Sequence, residues 1–216
     1  MDAELIGSWV EGWVVSRGAA PPVVEPWGFT VDVGQSGHVT RHVLQEADEP
    51  LVRKLTESAT APGTWLKVFL PPRTVAPWVA YGWRFDDDGF LMSTALHPTA
   101  ADAPDGYQVR VWTWGGLTRV LVLASDGAFA ARGQVAVPGP GRTAVFDQIE
   151  TSPDHRRKGL GSLVMRKLGN AAVDAGSTTA VLAATTEGRA LYEFLGWRTH
   201  RPLTSLVREA PAAADH

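Results

Sequence analysis

Residues 149–168 read IETSPDHRRKGLGSLVMRKL. Three basic residues, Arg156, Arg157 and Lys158, and two glycines, Gly159 and Gly161, stand where a strand-like run gives way to a helix-like one. A helix start carries a partial positive charge, so acidic residues are its usual occupants. Basic side chains there repel the dipole unless an anion joins them. Glycines at the same place let a ligand approach the backbone, whose free N–H groups can hold phosphate oxygens. The local reading is a phosphate-binding turn.

The flanks extend this reading. After the turn, Leu160, Leu163, Val164, Leu168, Ala171, Ala172 and Ala175 recur at helical spacing, with Gly176 just beyond. Thr179 to Ala184 reads as a strand, Glu187 to Leu195 as a second helix, and Trp197 to Val207 as extended chain. Before the turn come strand-like runs at Tyr107–Thr113, Arg119–Ala124, Ala128–Val137 and Thr143–Thr151. Hairpin-length links make them antiparallel neighbours. The helical crossover from Thr143–Thr151 to Thr179–Ala184 implies parallel pairing.

With these elements in place, the run is similar to the strand–turn–helix signature of the GNAT superfamily of acyl-CoA N-acyltransferases. That signature is Gln or Arg, two residues, Gly, one residue, then Gly or Ala; here Arg156, Gly159 and Gly161 fill it. A second block, Tyr192-Glu193-Phe194-Leu195-Gly196-Trp197, resembles the family's Tyr-x-x-Leu-Gly-Phe pattern. The resemblance covers residues 107–209. It implies an α/β GNAT fold, a mixed and mostly antiparallel sheet with flanking helices, and acetyl-CoA as acyl donor without a metal. It further implies pyrophosphate on the backbone of Arg157, Lys158, Gly159, Leu160, Gly161 and Ser162, with Arg156, Arg157 and Lys158 reaching outer phosphates. The pantetheine arm would pair with Ile149, Glu150 and Thr151. Thr185 stands where the family often has Asn, and should make fewer contacts to CoA. Tyr192 matches the family's proton donor to the leaving thiolate.

The base that deprotonates the amine is read from the strand before the turn. Asp147 and Glu150 lie on opposite faces of a regular strand, so one of them faces the cleft, and a bulge would switch which. Glu150 is the choice; a solvated strand-end carboxylate is the alternative. His155, beside the phosphate turn, reads as a phosphate-side or capping residue rather than a base.

Composition bounds the rest. The 216 residues carry a net charge of −3 and no cysteine, which excludes disulfides, cysteine zinc sites and a thiol nucleophile. No basic field argues for nucleic acid. No apolar run approaches the ~18 residues of a membrane span, and the N-terminus lacks a signal-peptide pattern. The expectation is a cytoplasmic protein, a monomer or homodimer, with no nucleic-acid or membrane partner.

Residues 98–106, polar and rich in Pro, Ala and Asp, read as a linker between an N-terminal α/β region at 1–97 and the acetyltransferase domain at 107–209, with a disordered tail at 210–216. Upstream, Leu5, Ile6, Trp9, Val10, Trp13 and Val14 suggest an opening helix. Trp65–Pro71 through Gly82-Trp83 parallels Thr179–Thr185 through Gly196-Trp197, with Trp78 opposite Tyr192. A degenerate second half without CoA and a chance likeness both fit this match. Only Trp114–Thr118 separates the first two strands of the second half, so the acceptor pocket is expected to draw on the N-terminal half. The leading functional reading is acetyl transfer to a small primary amine. A non-catalytic CoA-binding or sensing module, and a protein Lys or N-terminal acetyltransferase, are the alternatives.

Overall fold

The computed structural model describes residues 2–139 and 142–210. The expected tail from 211 onward lies outside the described residues. Helix α1 (Asp2–Arg17) is followed by β1 (Val23–Glu25), β2 (Gly28–Gln35), β3 (His38–Leu44), α2 (Glu49–Ser58), β4 (Thr64–Val68), a one-turn α3 (Pro72–Val75), β5 (Trp83–Phe85) and β6 (Gly89–Ala95). Then come β7 (Tyr107–Trp114), β8 (Leu117–Ala124), β9 (Phe129–Ala136), β10 (Ala144–Thr151), α4 (Leu160–Asp174), β11 (Thr179–Thr185), α5 (Thr186–Phe194) and β12 (Arg198–Arg208). Helix α3 is short: a 3-10 turn at Ala76–Trp78 follows it directly, because Pro77 has no N–H to continue the ladder.

All these strands join one sheet, ordered β1-β2-β3-β4-β12-β6-β11-β10-β9-β8-β7, with β5 also on β12. Two strand–helix–strand units recur in it. In the first, β3 and β4 run parallel across the α2 crossover. In the second, β10 and β11 run parallel across α4. The units exchange their last strands: β6 pairs with β11 and β12, while β12 crosses over to pair with β4. Composition marks the 98–106 connector but says nothing of this interleaving. The connector itself is tied to α4, where Asn170 Nδ2 donates to the Thr99 carbonyl at 2.7 Å and Thr99 N donates to Asn170 Oδ1 at 2.9 Å.

Helix α1 explains the shape. One broad apolar face of it is buried, while Glu4 and Glu11 lie on the other. Ile6, Trp9, Val10, Trp13 and Val14 pack with Val31 and Val43 of the first unit and with Val145 and Val181 of the second. Strands β3 and β10 are far apart in the sheet yet touch the same helix, so the sheet curls around it. A Cβ on Gly12 would lie 2.1 Å from Val145 Cγ2, so a side chain there would push the helix off β10. On the other face, α4 and α5 cover Val120, Val122, Phe146 and Leu182, and α2 covers Leu44, Leu66 and Val68.

Candidate functional site: a parted strand pair and an uncapped basic turn

Strands β10 and β11 are paired only at Ala144↔Ala180 and Val145↔Val181. Beyond that point β10 stays with β9 as far as Thr151↔Ala131, and β11 stays with β6 as far as Thr185↔Gly89. A wedge therefore opens between them from Phe146 and Leu182 upward. The β10 backbone that faces this wedge, Ile149 to Thr151 included, has an edge without a strand partner. Such an edge can pair with an extended ligand arm.

The wedge opens onto the basic turn. Arg157 (φ 59) and Gly159 (φ 78) both adopt the left-handed region, which reverses the chain into α4. Gly159 is the N-cap residue and supplies no side-chain bond. Among the described residues, the backbone N–H groups of Arg157, Lys158, Gly159, Leu160, Gly161 and Ser162 have no acceptor. Arg156, Arg157 and Lys158 are exposed. Gly161 is tightly placed: a Cβ there would meet Leu191 Cδ2 at 3.0 Å, which would have to give way slightly, and Thr151 Oγ1 at 3.7 Å. His155 braces the turn through its Nδ1, 3.0 Å from the Tyr107 hydroxyl.

Across the wedge, α5 presents Tyr192, which is 8% exposed and tilted against Trp197 at 6.1 Å. Burial, with the charge of Asp147 added, pushes its phenol up to about 12. Thr185 is the N-cap of α5, its Oγ1 accepting from Gly188 N at 3.1 Å. Its side chain is thus engaged by the helix, leaving the backbone at this position for other contacts.

The two carboxylates on β10 do not take opposite faces. Asp147 faces Gln134 and Glu150 faces Arg132 across β9, with a bulge between them. Three steps on β10 match two on β9, so Asp147 and Glu150 share the α1 face. Gln148 at the bulge has φ 55. This corrects the regular-strand expectation. Asp147 is held by α1: Ser16 Oγ donates at 2.6 Å, Arg17 Nε at 2.6 Å and Arg17 Nη2 at 2.9 Å. Glu150 is exposed and paired with Arg132 Nη2 at 2.7 Å. Sequence reading missed Ser16 and Arg17, because partners more than a hundred positions from Asp147 leave no local signal, and it missed Arg132, whose pairing with Glu150 depends on the bulged register of β9 with β10.

Two hollows flank the site. One of ≈ 550 Å³ lies beside the end of β11, lined by Asp86, Asp87, Asp88, Thr185, Thr186 and Glu187. Another of ≈ 770 Å³ lies between α4 and α5 at the opposite end of β11, around Thr179 and Trp197, away from the turn.

The acetyltransferase (GNAT) family model matches residues 87–197, a little over half of the chain. The chain belongs to the GNAT acetyltransferase family. Solved GNAT structures share its fold over nearly the whole length. A GCN5-related N-acetyltransferase from Kribbella flavida is 17% identical, with a TM-score of 0.67 covering 100% of this chain and 98% of that one. One from Sphaerobacter thermophilus is 13% identical, with a TM-score of 0.60 covering 100% and 95%. A tandem GNAT protein from the clavulanic acid biosynthesis pathway is 13% identical, with a TM-score of 0.56 covering 98% and 96%. No curated protein matches the chain in sequence. The GNAT match begins at residue 87, so it takes in β6, the strand that the first unit lends to the second. Among the described residues no group of His, Asp and Glu could hold a metal ion, and no helix is long and apolar enough to cross a membrane.

Proposed function

We propose that this GNAT protein transfers an acetyl group from acetyl-CoA to a small primary amine by direct attack of the amine on the thioester. The observation that carries the reading is the opening of β10 from β11 directly below an uncapped, basic, glycine-bearing helix start. Acetyl-CoA, when bound, supplies the activated acyl group as a thioester.

In this reading the N–H groups of Arg157 to Ser162 receive the pyrophosphate, and Arg156 and Lys158 meet outer phosphates. The free edge of β10 at Ile149 to Thr151 lines up the pantetheine arm. An amine is mostly protonated near neutral pH, so a base must take a proton before attack. Glu150, exposed and beside the bulge, does this through water. Both carboxylates are paired, Glu150 with Arg132 and Asp147 with Arg17, but the Glu150 side chain is 50% exposed to water against 14% for Asp147. The nitrogen then bonds to the acyl carbon, the C–S bond breaks, and the electron pair leaves on sulfur.

Tyr192 faces that sulfur in the reading. A phenol held near 12 keeps its proton against a thiolate of reference pKa ~8.5. Its contribution is therefore a hydrogen bond to the developing thiolate. Two protons leave the nitrogen: the first, taken by Glu150 before attack, passes to solvent, and the second, lost from the nitrogen after attack, ends on sulfur. The acidic hollow at Asp86–Asp88 and Glu187 attracts a protonated amine to the mouth.

Thermal shift with acetyl-CoA, longer acyl-CoAs and ATP, followed by an amine panel scored by thiol release, tests the reading. Stabilisation by acetyl-CoA and amine-dependent thiol release are expected. Lack of stabilisation by any CoA ester would overturn it.

A further inference from the structure

The α1 face holds a second charged cluster, near Arg17 and built mainly from the first unit. Arg41 on β3 is 7% exposed and Lys67 on β4 is 9% exposed. The Arg41 guanidinium lies flat over Trp13, 3.6 Å from the ring centroid, and its Nε donates to His38 Nε2 at 3.1 Å. Lys67 Nζ sits 4.7 Å from the centroid of Trp65 and donates to Ser205 Oγ at 2.7 Å. His38 is held down to about 3 by burial and by Arg41, Lys67 and Arg17. It is therefore a neutral acceptor and adds no charge.

Among the described residues, neither cation touches a carboxylate. The acids whose charge reaches them are Asp147 and Asp86, and Asp147 is already bound by both nitrogens of the Arg17 fork. Among the described residues, the terminal nitrogens of Arg41 make no hydrogen bond. Lys67 spends one of its three donors, on a neutral hydroxyl. Burial, together with Arg41 and Arg17, pushes Lys67 well below the lysine range. Buried charges are normally paired. Tryptophan faces and the negative end of α1 offset part of the cost, yet a core built for stability alone would use apolar residues here. The cluster borders solvent at Arg17, whose side chain is 34% exposed, and at half-buried His38 and Trp65. Through Arg17 and Asp147 it joins the bulge beside the wedge.

We propose that Arg41 and Lys67 form a subsite for an oxyanion, a carboxylate or a phosphate, carried by the acceptor at the end away from its amine. The Trp13–His38–Trp65 ring row, with centroids 5.6 Å and 5.2 Å apart, walls one side of the carbon chain, and the amino end extends past Arg17 toward Glu150. The guanidinium fork matches two oxygens of such a group, and the anion supplies the charge that burial withholds from Lys67. The proposal rests on the acetyltransfer reading for the amine end only, and its test is a binding test.

Calorimetry on the full chain would compare ω-amino acids of increasing chain length with their carboxamides, and ω-aminoalkyl phosphates with the matching amino alcohols. The anionic member of a pair is expected to bind about thirtyfold more tightly, and the two anion arms say which group the site takes. Lys67→Met should erase that preference and leave acetyl-CoA affinity unchanged. It should also melt no lower than the wild type, since an apolar side chain of similar volume fills the same buried place without an amine whose donors are mostly unused. Equal binding of acids and neutral analogues would overturn the proposal. So would a Lys67→Met variant that weakens both alike, or one that keeps the preference. Selective binding of the acids without thiol release would instead count against the acetyltransfer reading and leave the subsite standing.

Discussion

The units β3–α2–β4 and β10–α4–β11 have the same connectivity and opposite endings. In the first, the parallel strands stay paired from Thr40↔Thr64 to Leu44↔Val68, so no wedge opens. Its helix starts on Asp48, whose Oδ1 accepts from Leu51 N at 2.9 Å, with Glu49 next in line. That start is capped and acidic, and it repels an anion. In the second, the strands part after Val145, and the helix starts uncapped beside three cations. From the shared Gly82-Trp83 and Gly196-Trp197 spacing and the shared connectivity we propose that the first unit is a worn copy of the second, with chance likeness of two strand–helix units as the alternative. The comparison teaches that the crossover supplies the frame, while parted strands and a bare helix start make a ligand site.

The largest expected effect comes from closing the bare start. Gly161→Glu puts a side chain against Leu191 and a negative charge at the helix N-terminus. It should weaken acetyl-CoA binding by about a hundredfold or more, measured by calorimetry; unchanged affinity would mean that the turn does not hold the phosphates. Tyr192→Phe comes next. Turnover should fall by about a hundredfold with CoA affinity retained, read from kcat and from a CoA titration. The same variant carries a pH signature. Tyr192 ionises near 10 in the unfolded chain and near 12 in the fold, so the folded state binds more protons between those values. Stability therefore falls as pH rises through that window, and denaturant melts of Tyr192→Phe should lose this part of the slope.

The bond between α1 and the second unit is tested by Asp147→Asn, which breaks the fork to Arg17 and leaves a charge without its partner. A loss of about 2–3 kcal/mol in denaturant unfolding is expected; a loss near zero would mean α1 is held by its apolar face alone. The smallest effect belongs to the first unit. Asp48→Ala should cost about 1 kcal/mol of stability and leave acetyl-CoA affinity untouched, the reverse of Gly161→Glu.

Much of the second unit was legible in the sequence, because its signals are local. Gly159, Gly161 and Gly176 mark where α4 begins and ends, and the Leu160–Ala175 spacing marks its buried face. The first unit was legible in outline only. Pro77 signals a break between Leu70 and Trp83 but not that the helix there is a single turn. The bulge that brings Asp147 and Glu150 to one face depends on register with β9, and nothing between 144 and 151 announces it. The exchange of β6 and β12 is a matter of which strand edges meet, and the meeting partners are far apart in the chain, as in Thr179↔Ala95 and Thr204↔Val68. Arg41 and Lys67 look like ordinary strand cations in the sequence; burial by α1 and by β12 makes them unusual.

The central claim is that one unit of the two binds the acyl donor. A calorimetric titration of the full chain with acetyl-CoA, repeated on Gly161→Glu, tests it most directly. The account expects a single site per chain that vanishes in the variant. Two sites per chain, or a single site that persists in Gly161→Glu, would contradict it.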